Sequence, residues 1–123
     1  MLNKKEVVEV INMLILEDED YTRKFLKKVI SEIPLNLNIV DTSSGKEAVE
    51  LALEHKPDIV MLDIELKPED KFNGIEVAEN IYQLLPDTQF VFVTGYSKYA
   101  IDSFSVHPYD YVLKPVKKEK LQE

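Results

Sequence analysis

Four apolar runs in this chain each end on a residue equipped to handle charge. INMLIL (11–16) runs into Glu17 and Asp18, and DIVML (58–62) runs into Asp63. QFVFV (89–93) ends on Thr94, and DYVL (110–113) ends on Lys114. If those ends meet, three carboxylates share a pocket with a hydroxyl and an ammonium. Carboxylates crowded together repel, and removing them from water is unfavourable without compensation. A hard divalent cation resolves the conflict: Mg²⁺ takes oxygen ligands and is typically held by one or two carboxylates, waters and phosphate oxygens. Three carboxylates, one such cation and the Lys114 ammonium are formally neutral. Asp63 is then a candidate nucleophile, because carboxylates attack phosphoryl groups to give aspartyl phosphates. Phosphoryl transfer depends mainly on positioning and charge stabilisation, which Lys114 and Thr94 would supply at the phosphoryl oxygens. The chain needs no histidine of its own if a donor brings the phosphoryl group.

These residues act together only if their elements lie side by side. INMLIL (11–16), LNIVDT (37–42), DIVMLD (58–63), TQFVFVT (88–94) and DYVLK (110–114) read as strands. Between the first two, Tyr21, Phe25, Leu26, Val29, Ile30 and Ile33 recur at helical spacing, and Pro34 ends the segment. Tyr21 and Phe25 read as core or core-edge packing, and the basic cluster Arg23–Lys28 as a solvated face, with docking of an acidic kinase partner as the alternative reading. SSGKEAVELALEHK (43–56) reads as a helix capped by Ser44, with Glu47 three positions on. GIEVAENIYQLL (74–85) carries Ile75, Ala78, Ile81, Tyr82 and Leu85 on one face. SKYAIDSF (97–104) predicts a short helix, and KKEKLQE (117–123) the truncated start of a last one.

Residues 1–10 form an N-terminal extension in this reading, and 11–123 a single domain. The strands are nearly continuous apolar runs, which suits a parallel sheet covered by helices on both faces. The expected architecture is a doubly wound α/β fold, flavodoxin-like, with a five-stranded parallel sheet. In such sheets ligands sit beyond the carboxyl ends of the strands, at the point where strand order reverses. The polar ends converge there if the first, third, fourth and fifth strands neighbour one another.

Composition narrows the function. The chain has 123 residues, 45% of them apolar and 31% charged, as in one ordinary globular domain. It has no cysteine, so disulfides and thiolate metal sites are excluded. The sequence contains no apolar run long enough for a transmembrane helix. A net charge of −8 repels phosphate backbones, so direct nucleic-acid binding is not expected. Its 3 glycines form neither a dinucleotide fingerprint nor a Walker A loop.

Five pieces then occur in order: ILEDE (15–19), MLDIEL (61–66), NG (73–74), VTGY (93–96) and DYVLKP (110–115). With them, the chain from Ile11 onward resembles the receiver domain of bacterial two-component response regulators. The segment AIDSFSVHPYDYVLKPV (100–116) is most similar to receivers followed by a LytTR-type DNA-binding domain. The resemblance implies a cytoplasmic signalling module that catalyses only its own phosphorylation and dephosphorylation. Asp63 would accept a phosphoryl group from a sensor histidine kinase. Glu17, Asp18, Asp63 and the backbone carbonyl of Glu65 would bind Mg²⁺. Thr94 and Tyr111 would form the switch, Thr94 moving toward the phosphoryl group and Tyr111 turning inward. Phosphorylation would favour a homodimer that positions an effector domain and so controls transcription.

The chain departs from the family pattern in three places. Glu17 replaces the commoner Asp, the loop ELKPEDKFNG (65–74) is about three residues long for the family, and His107–Pro108 replaces a common Gly-Ala. Three rival readings stand beside the receiver. A haloacid-dehalogenase-like phosphatase would use Glu65, two residues after Asp63, but also needs a cap region. A pseudo-receiver would keep the fold without being phosphorylated. A flavodoxin-like electron carrier would need a phosphate-binding loop.

Overall fold

The structure, a computed structural model, describes residues 10–63, 74–94 and 110–113. Its elements are β1 (Ile11–Leu16), α1 (Asp20–Ser31), β2 (Leu37–Thr42), α2 (Gly45–His55), β3 (Ile59–Leu62), α3 (Gly74–Leu84), β4 (Gln89–Thr94) and β5 (Asp110–Leu113). The expected helices at 97–104 and 117–123 lie outside the described residues, as do Glu65, Lys114, most of the 65–74 loop and positions 1–9.

The strands form one five-stranded sheet in the order β2-β1-β3-β4-β5, with every pair parallel. The expected doubly wound sheet is therefore present. Its strand order reverses between β1 and β3, and the carboxyl ends of both strands lie on the same edge.

Side chains of a strand alternate between its two faces, so each apolar run feeds two cores. Leu14, Leu16, Val60, Leu62, Phe90 and Phe92 face α2 and α3, where they meet Ala48, Ala52, Val77, Ala78 and Ile81. Met13, Ile15, Met61 and Val93 take the other face and pack with Leu26 and Ile30 of α1. This double burial explains why the central strands lack polar alternation. A fully buried Phe or Leu contributes roughly 1.5–3 kcal/mol of transfer free energy, so residues such as Leu16, Leu62 and Phe92 anchor the register.

Two aromatic positions differ from the sequence reading. Tyr21 is 80% exposed rather than packed at the core edge. The buried stripe of α1 is centred on Leu26, Val29 and Ile30, and at about 100° per residue Tyr21 points roughly a third of a turn away from it. Tyr82 is 40% exposed, whereas Val77 is fully buried. The buried face of α3 therefore runs through Gly74, Ile75, Val77, Ala78 and Ile81, rotated from the expected stripe.

Ser44 caps α2 as expected, accepting a hydrogen bond from the Glu47 N–H at 3.3 Å. The reciprocal half of the capping box is replaced. Glu47 Oε1 accepts from Thr42 Oγ1 at 2.5 Å, and the Ser44 N–H donates to the same Thr42 hydroxyl at 3.1 Å. The cap is thereby joined to the end of β2.

The other end of α2 closes at Lys56, whose N–H donates to the Ala52 carbonyl at 2.8 Å. Lys56 has φ 48°, in the left-handed region that glycine occupies with least strain. Replacing Lys56 with Gly should raise stability by about 0.5 kcal/mol, since relief of roughly 1 kcal/mol of strain is partly offset by a freer unfolded chain. A β-branched Val there should lower it. Urea unfolding midpoints check both; a destabilised Gly variant would contradict the strain argument.

Candidate functional site

The site begins with backbone register. Leu16 of β1 pairs with Leu62 of β3, so the next residues of the two strands, Glu17 and Asp63, emerge side by side. Both are tied to their neighbours: the Asp63 N–H donates to the Leu16 carbonyl at 3.1 Å, and the Glu17 N–H to the Thr42 carbonyl of β2 at 3.1 Å. Adjacent strands lie about 4.8 Å apart, which places the two carboxylates within reach of each other. Asp18 joins them from the short link between β1 and α1.

Oxygen atoms from Glu17, Asp18 and Asp63 all lie within 4.8 Å of one another. Glu17 is 1% exposed and Asp63 6%, while Asp18 is half-buried. The Glu17 side chain accepts from the Glu19 N–H at Oε2, 3.1 Å away, which holds the rotamer against the turn. The donor set is therefore all oxygen, acidic and mostly withdrawn from water, which suits a hard cation and not a soft one. Ligands on opposite sides of Mg²⁺ are about 4.2 Å apart, twice its usual metal–oxygen distance. The carboxylate cluster has a comparable span.

Of the other candidates, Thr94 closes β4 and pairs with Leu113 of β5. Tyr111 lies in β5 and pairs by backbone with Phe92. Lys114 follows Leu113 directly in the chain. The sheet thus brings the carboxyl ends of β3, β4 and β5 to one edge as successive neighbours.

A family model for the response regulator receiver domain matches residues 13–123. The chain belongs to the response regulator receiver family. Among curated relatives, the sensory transduction protein LytT of Enterococcus faecalis is 34% identical over 113 residues, covering 92% of this chain and 46% of that protein. The transcriptional regulatory protein LytR of Staphylococcus aureus is 31% identical over 110 residues, covering 89% and 44%. This receiver spans about half the length of the curated relatives it matches. Among solved structures, the response regulatory domain of MrkE from Klebsiella pneumoniae superposes with a TM-score of 0.81 at 26% identity, covering 91% of this chain and 89% of that one. The response regulator domain of CheB from Thermotoga maritima gives 0.75 at 30% identity, covering 89% and 82%.

The sequence reading missed Arg23 and Asp41. Rather than sitting on a solvated face, the Arg23 side chain is 16% exposed and reaches the receiver's acidic loop. Its Nη1 donates to the Glu17 backbone carbonyl at 2.9 Å, and its Nε pairs with Asp41 at 3.1 Å. Lys27 Nζ meets the other oxygen of Asp41 at 2.9 Å. The available signal was the i, i+4 spacing of Arg23 and Lys27 opposite an acid near the end of the neighbouring strand.

Two unit charges 4.8 Å apart repel by on the order of 3 kcal/mol at an effective dielectric constant of 20. Without divalent cations, Asp63→Asn should therefore stabilise the protein by about 1–3 kcal/mol. Saturating Mg²⁺ should shrink or reverse that gain. Urea unfolding in chelator and in Mg²⁺ measures both; a destabilised variant in chelator would show that repulsion does not dominate the site.

Proposed function

We propose that this receiver accepts a phosphoryl group on Asp63 in a Mg²⁺-dependent reaction and switches its output surface in response. The observation that carries the reading is the convergence of Glu17, Asp18 and the buried Asp63 within 4.8 Å where the strand order reverses. The donor is the phosphohistidine of a sensor histidine kinase.

Asp63 attacks phosphorus through a carboxylate oxygen. The phosphorus–nitrogen bond to the donor imidazole breaks, its electron pair returns to the ring nitrogen, and an aspartyl phosphate remains. Glu17, Asp18, Asp63 and the Glu65 carbonyl would hold the cation, which when bound neutralises charge that develops on the phosphoryl oxygens. The Glu17 carboxylate is longer than the Asp common at this position and reaches the cation directly or through water. Asp63 is held for attack by its own backbone bond to Leu16. Lys114 stabilises the phosphoryl oxygens as an ammonium, and Thr94 does so through its hydroxyl.

Phosphorylation then shifts a population between two surface states. Thr94 moves toward the phosphoryl group and Tyr111 turns into the space it leaves. The relatives' names and the partial coverage support an effector domain outside residues 11–123, of LytTR DNA-binding type, brought into position by dimerisation to control transcription. Such a protein works in the cytoplasm. Among the described residues, no helix is long and apolar enough to cross a membrane.

Intact-mass spectrometry after incubation with acetyl phosphate tests the assignment. The wild type should gain one phosphoryl group only when Mg²⁺ is present, and Asp63→Asn should gain none. An unmodified but folded wild type would favour a receiver fold that has lost phosphorylation, and normal labelling of Asp63→Asn would move the acceptor elsewhere.

A further inference from the structure

We propose that Arg23 is a positioning residue for the cation site: it fixes the peptide that joins the two acidic ligands Glu17 and Asp18. The inference rests on the reading of Glu17, Asp18 and Asp63 as a Mg²⁺ site.

The guanidinium of Arg23 makes three separate contacts. Nη1 donates to the Glu17 carbonyl at 2.9 Å, Nε to Asp41 Oδ2 at 3.1 Å, and Nη2 to Asp20 Oδ1 at 2.6 Å. The Glu17 carbonyl belongs to the peptide between Glu17 and Asp18. Holding that plane restricts the torsions on either side of it, and those torsions aim both carboxylates. Across this gap the Glu17 side chain accepts from the Glu19 N–H, and the Arg23 bond adds a restraint on the Glu17 carbonyl itself. β1 ends at Leu16 and α1 begins at Asp20, and the α1 cap residue Glu19 makes no side-chain capping bond to the helix. Asp41 supplies the fixed point. It lies in β2, where it pairs with Ile15 of β1, so the guanidinium braces the acidic loop against the sheet. Arginine is suited to this because its donors lie in a rigid fork, whereas lysine offers one flexible point charge.

The field of Arg23 acts in the opposite direction from its bracing. A cation beside an acidic pocket weakens binding of a second cation. Here the charge is largely cancelled, because Arg23 and Lys27 face Asp20 and Asp41. If Arg23 acted only through its field, removing it would tighten Mg²⁺ binding. If it positions the peptide, removing it weakens binding. The sign of the change separates the two.

Calorimetric titration of Mg²⁺ into the wild type, Arg23→Ala, Arg23→Lys and Asp41→Asn decides the matter, with melting temperatures recorded in chelator. Arg23→Ala should bind Mg²⁺ roughly tenfold more weakly, the scale on which outer partners of metal ligands act. Arg23→Lys should not restore affinity, although it keeps the charge and the fold, and it decides the question if the alanine variant does not fold. Asp41→Asn can still accept from Nε and should bind within about twofold of wild type. The weakening should persist at high salt, where a field effect is screened. Unchanged or tighter binding by Arg23→Ala, or full rescue by Arg23→Lys, overturns the proposal, as does a lowered melting temperature with unaltered affinity. A wild type that binds no Mg²⁺ overturns the site reading itself and the inference with it, and that outcome is visible before any variant is compared.

Discussion

The mutual repulsion of Glu17, Asp18 and Asp63 is the constraint to which the rest of the molecule answers. Three acids within 4.8 Å, two of them nearly sealed from water, oppose folding at the point where they meet. What opposes the repulsion is rigid backbone. Glu17 and Asp63 directly follow Leu16 and Leu62, which are buried in the core formed with α2 and α3. To part the backbones of Glu17 and Asp63, the chain would have to break the β1–β3 pairing or pull those leucines from their packing. The sheet therefore holds together an arrangement of charge that a bound cation would relieve.

The acidic loop is held from outside as well as from below. The Glu17 side chain accepts from the Glu19 N–H, its N–H donates to β2, and its carbonyl accepts from Arg23. Both backbone polar groups of this residue thus have a defined partner, one from β2 and one from α1. Such anchoring preorganises the acidic loop, the condition under which electrostatic stabilisation is most effective. The far end of the sheet is tied differently, with Asp58 bonded to Asn12 and the buried Thr88 hydroxyl donating to the Pro57 carbonyl. Those bonds tie the segment before β3 to β1 and to the loop before β4, and among the described residues they bring no acidic cluster together.

Much of this was legible in the sequence because the central strands are buried on both faces. Continuous apolar runs such as INMLIL mark parallel strands, and their polar terminators mark the edge where ligands gather. The convergence of Glu17, Asp18 and Asp63 follows from strand order, which a right-handed α/β chain has few ways to vary. Tyr21 and Tyr82 were harder to place. Each extends an apolar stripe at helical spacing, but the angle at which a helix settles on the sheet decides which edge of the stripe is buried. Arg23 and Asp41 were hidden for another reason. They lie 18 residues apart, and only the β1–β2 pairing turns a basic helix face toward an acid in the neighbouring strand. Side chains that act by bracing the backbone leave no composition signal of their own.

The most direct test of the central claim is to locate the phosphoryl group. After incubation with acetyl phosphate and Mg²⁺, borohydride reduction converts an aspartyl phosphate to homoserine, and fragmentation by mass spectrometry reads the position. The account predicts homoserine at residue 63 and nowhere else, with none formed in chelator. Homoserine at position 18, or labelling that ignores Mg²⁺, would contradict it.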